Sequence, residues 1–142
     1  MREIKFRGLK HYPTGNVWLY GHLWQNDSGE TFIKTPSGSY EVDPDTVGQY
    51  TCLHDRNGKG VFEGDIVFWI ASDIRGRGKG MQGAIIWDAP TMSWAILNDK
   101  PTSDGRPMII SRPFDKKHLE IVGNIFDNPE LMERANGNKR TN

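Results

Sequence analysis

The chain has 142 residues, with 18 Lys and Arg against 18 Asp and Glu; this length fits one domain or two small subdomains sharing a core, and zero net charge argues against a broad phosphate-binding surface. Its longest apolar runs are far too short to span a bilayer, and the charged residues directly after Met1 leave no apolar signal core. Cys52, the single cysteine, has no partner for an intramolecular disulfide, which fits a reducing cytoplasm.

Hydrophobic content is 36%, but five Trp, six Phe and four Tyr supply large apolar surfaces, each contributing about 1.5–3 kcal/mol when buried. A folded globular chain follows. Taken in order, alternation predicts a short strand over residues 4–7 and a turn over 11–16, where Pro13 and Gly15 sit. A second strand is predicted over 17–24. Asn26-Asp27-Ser28-Gly29 is a hairpin signal leading into a strand over 31–34. Residues 36–39 form the next turn, 40–42 another strand, and Asp43-Pro44-Asp45 a break before an extended run over 46–51. Asp55-Arg56-Asn57-Gly58 closes a tight hairpin, since Asn57 and Gly58 both tolerate positive φ. Residues 1–62 therefore read as an N-terminal antiparallel meander.

Glu63-Gly64-Asp65 breaks the chain again and leads into a buried strand over 66–71. A glycine-rich loop over 72–80 follows, then strands over 83–87 and 93–97 joined by a turn at 88–91. A polar excursion over 98–107 precedes short strands at 108–110 and 119–125. This spacing of short strands after one long loop predicts an SH3-like barrel over 63–127, whose closure would remove exposed edges. Asn128 as N-cap, Pro129 at the first helical position and Glu130 against the helix dipole predict a short C-terminal helix, ending near Gly137 in a frayed tail, so 128–142 stands apart. The expected fold is mostly β: a meander packed beside an SH3-like barrel, with a short C-terminal helix.

Several blocks carry a resemblance. The opening Met1-Arg2-Glu3-Ile4-Lys5-Phe6-Arg7, the segment Val47-Gly48-Gln49-Tyr50-Thr51, the block at 55–67, the stretch at 83–88 and the closing 120–131 run in order through nearly the whole chain. In these the sequence resembles the YopX family of small proteins, encoded mainly by phages and prophages of Gram-positive bacteria. The resemblance implies a fold and a phage context, with no established activity. Two positions depart from the family pattern: Cys52 stands where glycine is usual, and Gly60 where a longer polar residue is common.

Chemistry-bearing residues are few. Arg75, Arg77 and Lys79 alternate with glycines, giving a mobile backbone able to follow a phosphate chain, with Trp69 and Trp87 near the loop ends as stacking faces. The plainer alternative is a solvated hairpin with both tryptophans in the core; no Walker loop is present, because Lys79-Gly80 lacks the following Ser or Thr. Glu63 and Asp65 flank Gly64, with Asp55 upstream and Asp88 downstream. Clustered carboxylates bind Mg²⁺ or move protons in some sites, but here bonding of turn amides by Asp65 accounts for the pattern. His11, His22, His54 and His118 lack metal-site spacing. His54 and Cys52 share strand parity without a third orienting group.

Trp18, Tyr20, His22 and Trp24 share one parity of the second strand, opposite Val17, Leu19, Gly21 and Leu23. Either that strand is sandwiched, or one aromatic face is exposed and meets a partner. The expectation is a non-catalytic phage or prophage accessory protein in the host cytoplasm, with no cofactor or metal. It acts through protein binding or self-association on Trp18, Tyr20 and Trp24. The alternative is weak, sequence-tolerant nucleic-acid binding through Arg75, Arg77 and Lys79. No membrane role and no catalytic set are expected. Asn57, Gly58, Gly64 and Asp65 are read as structural.

Overall fold

The computed structural model describes residues 1–72, 75–110 and 119–132. Two compact units divide it, Met1–Cys52 and Leu53–Asn142. The first carries strands β1 (Phe6–Tyr12), β2 (Gly15–Gln25), β3 (Thr31–Thr35), β4 (Gly38–Glu41) and most of β5 (Asp43–His54), hydrogen-bonded in the order β4-β3-β2-β1-β5. β1 reaches Tyr12, beyond the strand expected over 4–7, because Tyr12 pairs with Gly15 and the turn shrinks to Pro13-Thr14. The break expected at Asp43-Pro44-Asp45 lies within a continuous strand. Between Arg7 and Leu9 the β1–β5 register shifts, and there the Thr46 hydroxyl accepts a hydrogen bond from the Leu9 N–H at 2.8 Å while donating to the Asp43 carbonyl at 2.7 Å. A side-chain oxygen thus supplies the acceptor for the Leu9 N–H where the ladder shifts register. Leu9, Ile33, Val42 and Tyr50 are the buried apolar residues of this unit.

The second unit begins at Leu53, earlier than the 62/63 boundary expected from sequence. The reason is packing: β6 (Gly60–Phe62) delivers Val61 into a core with Val67, Ile85, Ile96 and Leu119, and Leu53 lies against the same cluster. β7 (Asp65–Ser72), β8 (Gly78–Asp88), β9 (Ser93–Asn98), β10 (Ile109–Ile110) and β11 (Glu120–Asn124) form an antiparallel sheet in the order β10-β9-β8-β7-β11. Ile66 and Ala84, a cross-strand pair, lie on the opposite face from Val67 and pack with Met132. With both faces covered, β7 needs a continuous apolar run rather than alternation.

Two expectations change here. The sheet is open, with β10 and β11 as its edges among the described residues, so no closed SH3-like barrel forms; the described β10 has two residues and pairs only with β9. The expected C-terminal helix is a 3₁₀ turn over Pro129–Met132. Asn128 does not cap it with its side chain: its Oδ1 accepts from the Asn124 N–H at 3.2 Å, and its carbonyl accepts from Leu131. Gly137 and the expected tail lie outside the described residues, as does His118.

Candidate functional site

β2 places Tyr20, His22 and Trp24 on one face, all exposed, and Leu19, Gly21 and Leu23 half-buried on the other. The strand is not sandwiched on its aromatic side. At Gly21 the neighbouring strand comes very close: a Cβ there would lie 1.9 Å from the Lys34 carbonyl oxygen of β3. Trp24 pairs across the ladder with Phe32, and their rings stack at 4.4 Å with 12° between planes. The indole N–H of Trp24 donates to Ser39 Oγ at 3.2 Å, so the ring is held from β3 and β4 together. It still keeps 41% of its surface in solvent, and Tyr20 keeps 44%. Trp18 differs. It is half-buried, with the Arg7 guanidinium 4.7 Å above its ring, a cation–π contact that orders the two side chains. Lys34 pairs with His22, and Glu41 with Phe32, so the exposed face continues across three strands as aromatic, cationic and anionic residues.

The basic segment is more ordered than a free loop. Lys79 pairs with Ala71, and Gly78 with Ser72, so β8 incorporates the second half of the expected loop. Arg75, Arg77 and Lys79 are all exposed. The two tryptophans do not flank them as stacking faces: Trp69 packs against the core cluster of the second unit, and Trp87 lies eight positions along β8 from Lys79, ~26 Å at strand rise. Trp87 meets Trp94 edge-on at 5.2 Å and 76°.

The carboxylates separate into structural roles. Asp55 is buried; its Oδ1 accepts from the Asn57 and Lys59 N–H groups at 2.9 Å each, and its Oδ2 from Ile121 N–H at 3.1 Å. Burial acts to raise its pKa, but the three backbone donors and nearby Lys59 outweigh it and hold the carboxyl below its ordinary value. The hairpin it organises uses positive φ at Gly58 (φ 82) and not at Asn57; Gly58 N–H donates to the Asp55 carbonyl, and Asp55 and Lys59 close the loop. Asp65, also buried, accepts from Phe62 N–H at 2.8 Å, bridging the turn whose Gly64 sits at φ 91. Asp88 accepts from the Thr91 hydroxyl. Asp65 and Asp88 each serve their own turn, and Asp55 also reaches β11.

Sequence spacing missed one pair. His11 Nε2 lies 3.0 Å from Asp43 Oδ2, and its Nδ1 lies 2.8 Å from Asn16 Oδ1. Two oxygens facing both ring nitrogens favour imidazolium, so the histidine pKa rises, chiefly through the Asp43 bond and then Asn16, while that of Asp43 falls. The signal was cross-strand: Leu9 pairs with Asp43, a register invisible in linear spacing. Cys52 donates its thiol to the Glu3 carbonyl at 3.2 Å, away from any His pairing. Among the described residues no group of three His, Cys, Asp or Glu is placed to hold a metal ion, and no helix is long and apolar enough to cross a membrane.

The family described as "YopX protein" matches residues 10–133. The crystal structure of protein EF1440 from Enterococcus faecalis superposes with a TM-score of 0.51 at 22% identity, over 94% of this chain and 100% of that one; at that identity the likeness concerns the fold. No curated protein matches the chain.

Proposed function

This chain belongs to the YopX family, and from its surface we propose that it is a non-catalytic, phage- or prophage-encoded accessory protein that acts by binding protein through the aromatic face of β2. One observation carries this reading: Trp24 is locked by its stack on Phe32 and its bond to Ser39, yet 41% of it remains in solvent, beside a Tyr20 that is 44% exposed. Rigid aromatics lose little side-chain freedom on binding, which is why Trp and Tyr dominate interface hot spots. A lone cysteine without a disulfide partner fits the reducing cytoplasm of a host cell. The test uses the full chain and its Tyr20→Ser/Trp24→Ser variant as baits. Proteins held by the wild type and released by the variant are purified and titrated against both. Binding that depends on the two rings supports the reading; an identical captured set with equal affinities overturns it.

A second reading is favoured by the exposed Arg75, Arg77 and Lys79 on the β7–β8 hairpin. Such a tip contacts phosphates without reading base edges. Three phosphates neutralised imply a log–log salt slope near −2 for single strands, from about −0.7 per phosphate. Absence of low-salt affinity for DNA or RNA, or equal binding by the Arg75→Ala/Arg77→Ala/Lys79→Ala variant, removes this reading.

A further inference from the structure

The aromatic face has an ordered charge pattern as well as apolar area. On β3, Phe32 and Lys34 point to the same side as Trp24 and His22, their partners on β2. On β4, Glu41 stands opposite Phe32 and Ser39 opposite Lys34. Lys34 and Glu41 are therefore diagonal neighbours, ~7–8 Å apart across the ladder, on either side of the line from Phe32 to Ser39. Both are exposed, and among the described residues neither takes part in an ion pair.

This pattern is complementary to itself. A two-fold axis lying in the face, beside Phe32 and between Lys34 and Glu41, sets the lysine of one copy against the glutamate of the other and repeats the pairing on the far side. An isologous contact requires that reciprocity, residue i meeting j and j meeting i. The same operation covers the exposed part of Trp24 with the second copy's aromatic surface, giving an apolar centre with charged flanks, the usual anatomy of a specific interface. A face of one charge sign would repel its own copy; here the opposite charges sit where a two-fold needs them. The β4 edge is four residues long, which disfavours joining by strand addition and leaves the broad face as the contact.

We infer that the occupant of this face is a second copy of the chain, in a two-fold dimer closed by reciprocal Lys34–Glu41 pairs around Trp24 and Phe32. The inference rests on the protein-binding reading of the face and adds the partner and the symmetry. Sedimentation equilibrium over a wide concentration range, on the full chain, tests it with four variants. Lys34→Glu and Glu41→Lys alone each place like charges opposite one another and are expected to weaken the dimer about tenfold or more. The combined Lys34→Glu/Glu41→Lys variant restores the opposite charges and is expected to return to within a few-fold of wild type. Trp24→Ser is expected to be monomeric with unchanged circular dichroism. A strictly monomeric wild type overturns the inference while leaving capture of a different protein open. A dimer that Trp24→Ser abolishes but the double charge exchange fails to rescue overturns the two-fold pairing and keeps the face. A dimer indifferent to Trp24 and to both charges overturns the inference and the reading it rests on.

Discussion

The Oδ2 of Asp55 accepts a hydrogen bond from the N–H of Ile121 at 3.1 Å, across 66 positions of sequence. The neighbouring Arg56 N–H donates to the Leu119 carbonyl at 2.8 Å, so the hairpin tip and the start of β11 are joined twice. One buried carboxylate thus shapes a turn locally and fixes a sheet edge remotely.

Replacing Asp55 with Ala strands three backbone donors, and stability measured by urea unfolding should fall by about 2–3 kcal/mol. Asp55→Asn keeps one acceptor and should cost less. The folded pKa of Asp55 is lowered, so its stabilisation is fully present above the unfolded value of about 3.9 and is lost as pH falls through the lower folded value. Wild type should therefore lose more stability below about pH 4 than Asp55→Asn does. Parallel acid profiles for the two proteins would remove the charge from this account.

Cys52 has φ 68, a left-handed backbone conformation that glycine adopts freely and β-branched residues strongly resist. A glycine at this position, as the family resemblance implies, would adopt that angle without strain. Stability should rank Cys52→Gly above Cys52→Ala above Cys52→Val, with about 1–2 kcal/mol between the extremes. A valine variant as stable as the glycine variant would mean that the backbone relaxes out of the left-handed region.

Gly21 is held by close approach. Its built Cβ lies 1.9 Å from the Lys34 carbonyl oxygen, a backbone atom that cannot swing aside. Gly21→Ala should cost about 3 kcal/mol or more and loosen the β2–β3 pairing, whereas Gly29→Ala, with open space around its built Cβ, should cost only the strain of its positive φ. Amide hydrogen exchange at Leu23 and Ile33 reports the difference; equal protection in both variants would contradict the contact.

His11 should titrate above 6.5, with Asp43→Asn bringing it down, as followed by NMR of the imidazole protons. Because the folded pKa is raised, any stabilisation from the pair is complete below the unfolded value of about 6.5 and disappears as pH rises through the folded one. A His11 pKa indifferent to Asp43→Asn would break the proposed coupling.

The sequence by itself determined the strand-rich character of the chain and the identity of most turns. Asn26 to Gly29, Asp55 to Gly58 and Glu63 to Asp65 act through their own backbone preferences, which are local and survive without knowledge of neighbours. It also narrowed the aromatic strand to two arrangements through parity alone. Tertiary structure decided what parity cannot: which face of β2 stays exposed, that of Tyr20, His22 and Trp24. It decided that the Asp43-Pro44-Asp45 break is absorbed within β5, because the Thr46 hydroxyl takes over the Leu9 N–H from 37 positions away. It brought His11 to Asp43 by strand register and the Asp55 carboxylate of a turn to the Ile121 N–H, and left the second sheet open where strand count predicted closure. Local propensity is a property of a few consecutive residues, whereas register, burial and edge pairing depend on which distant backbone lies alongside.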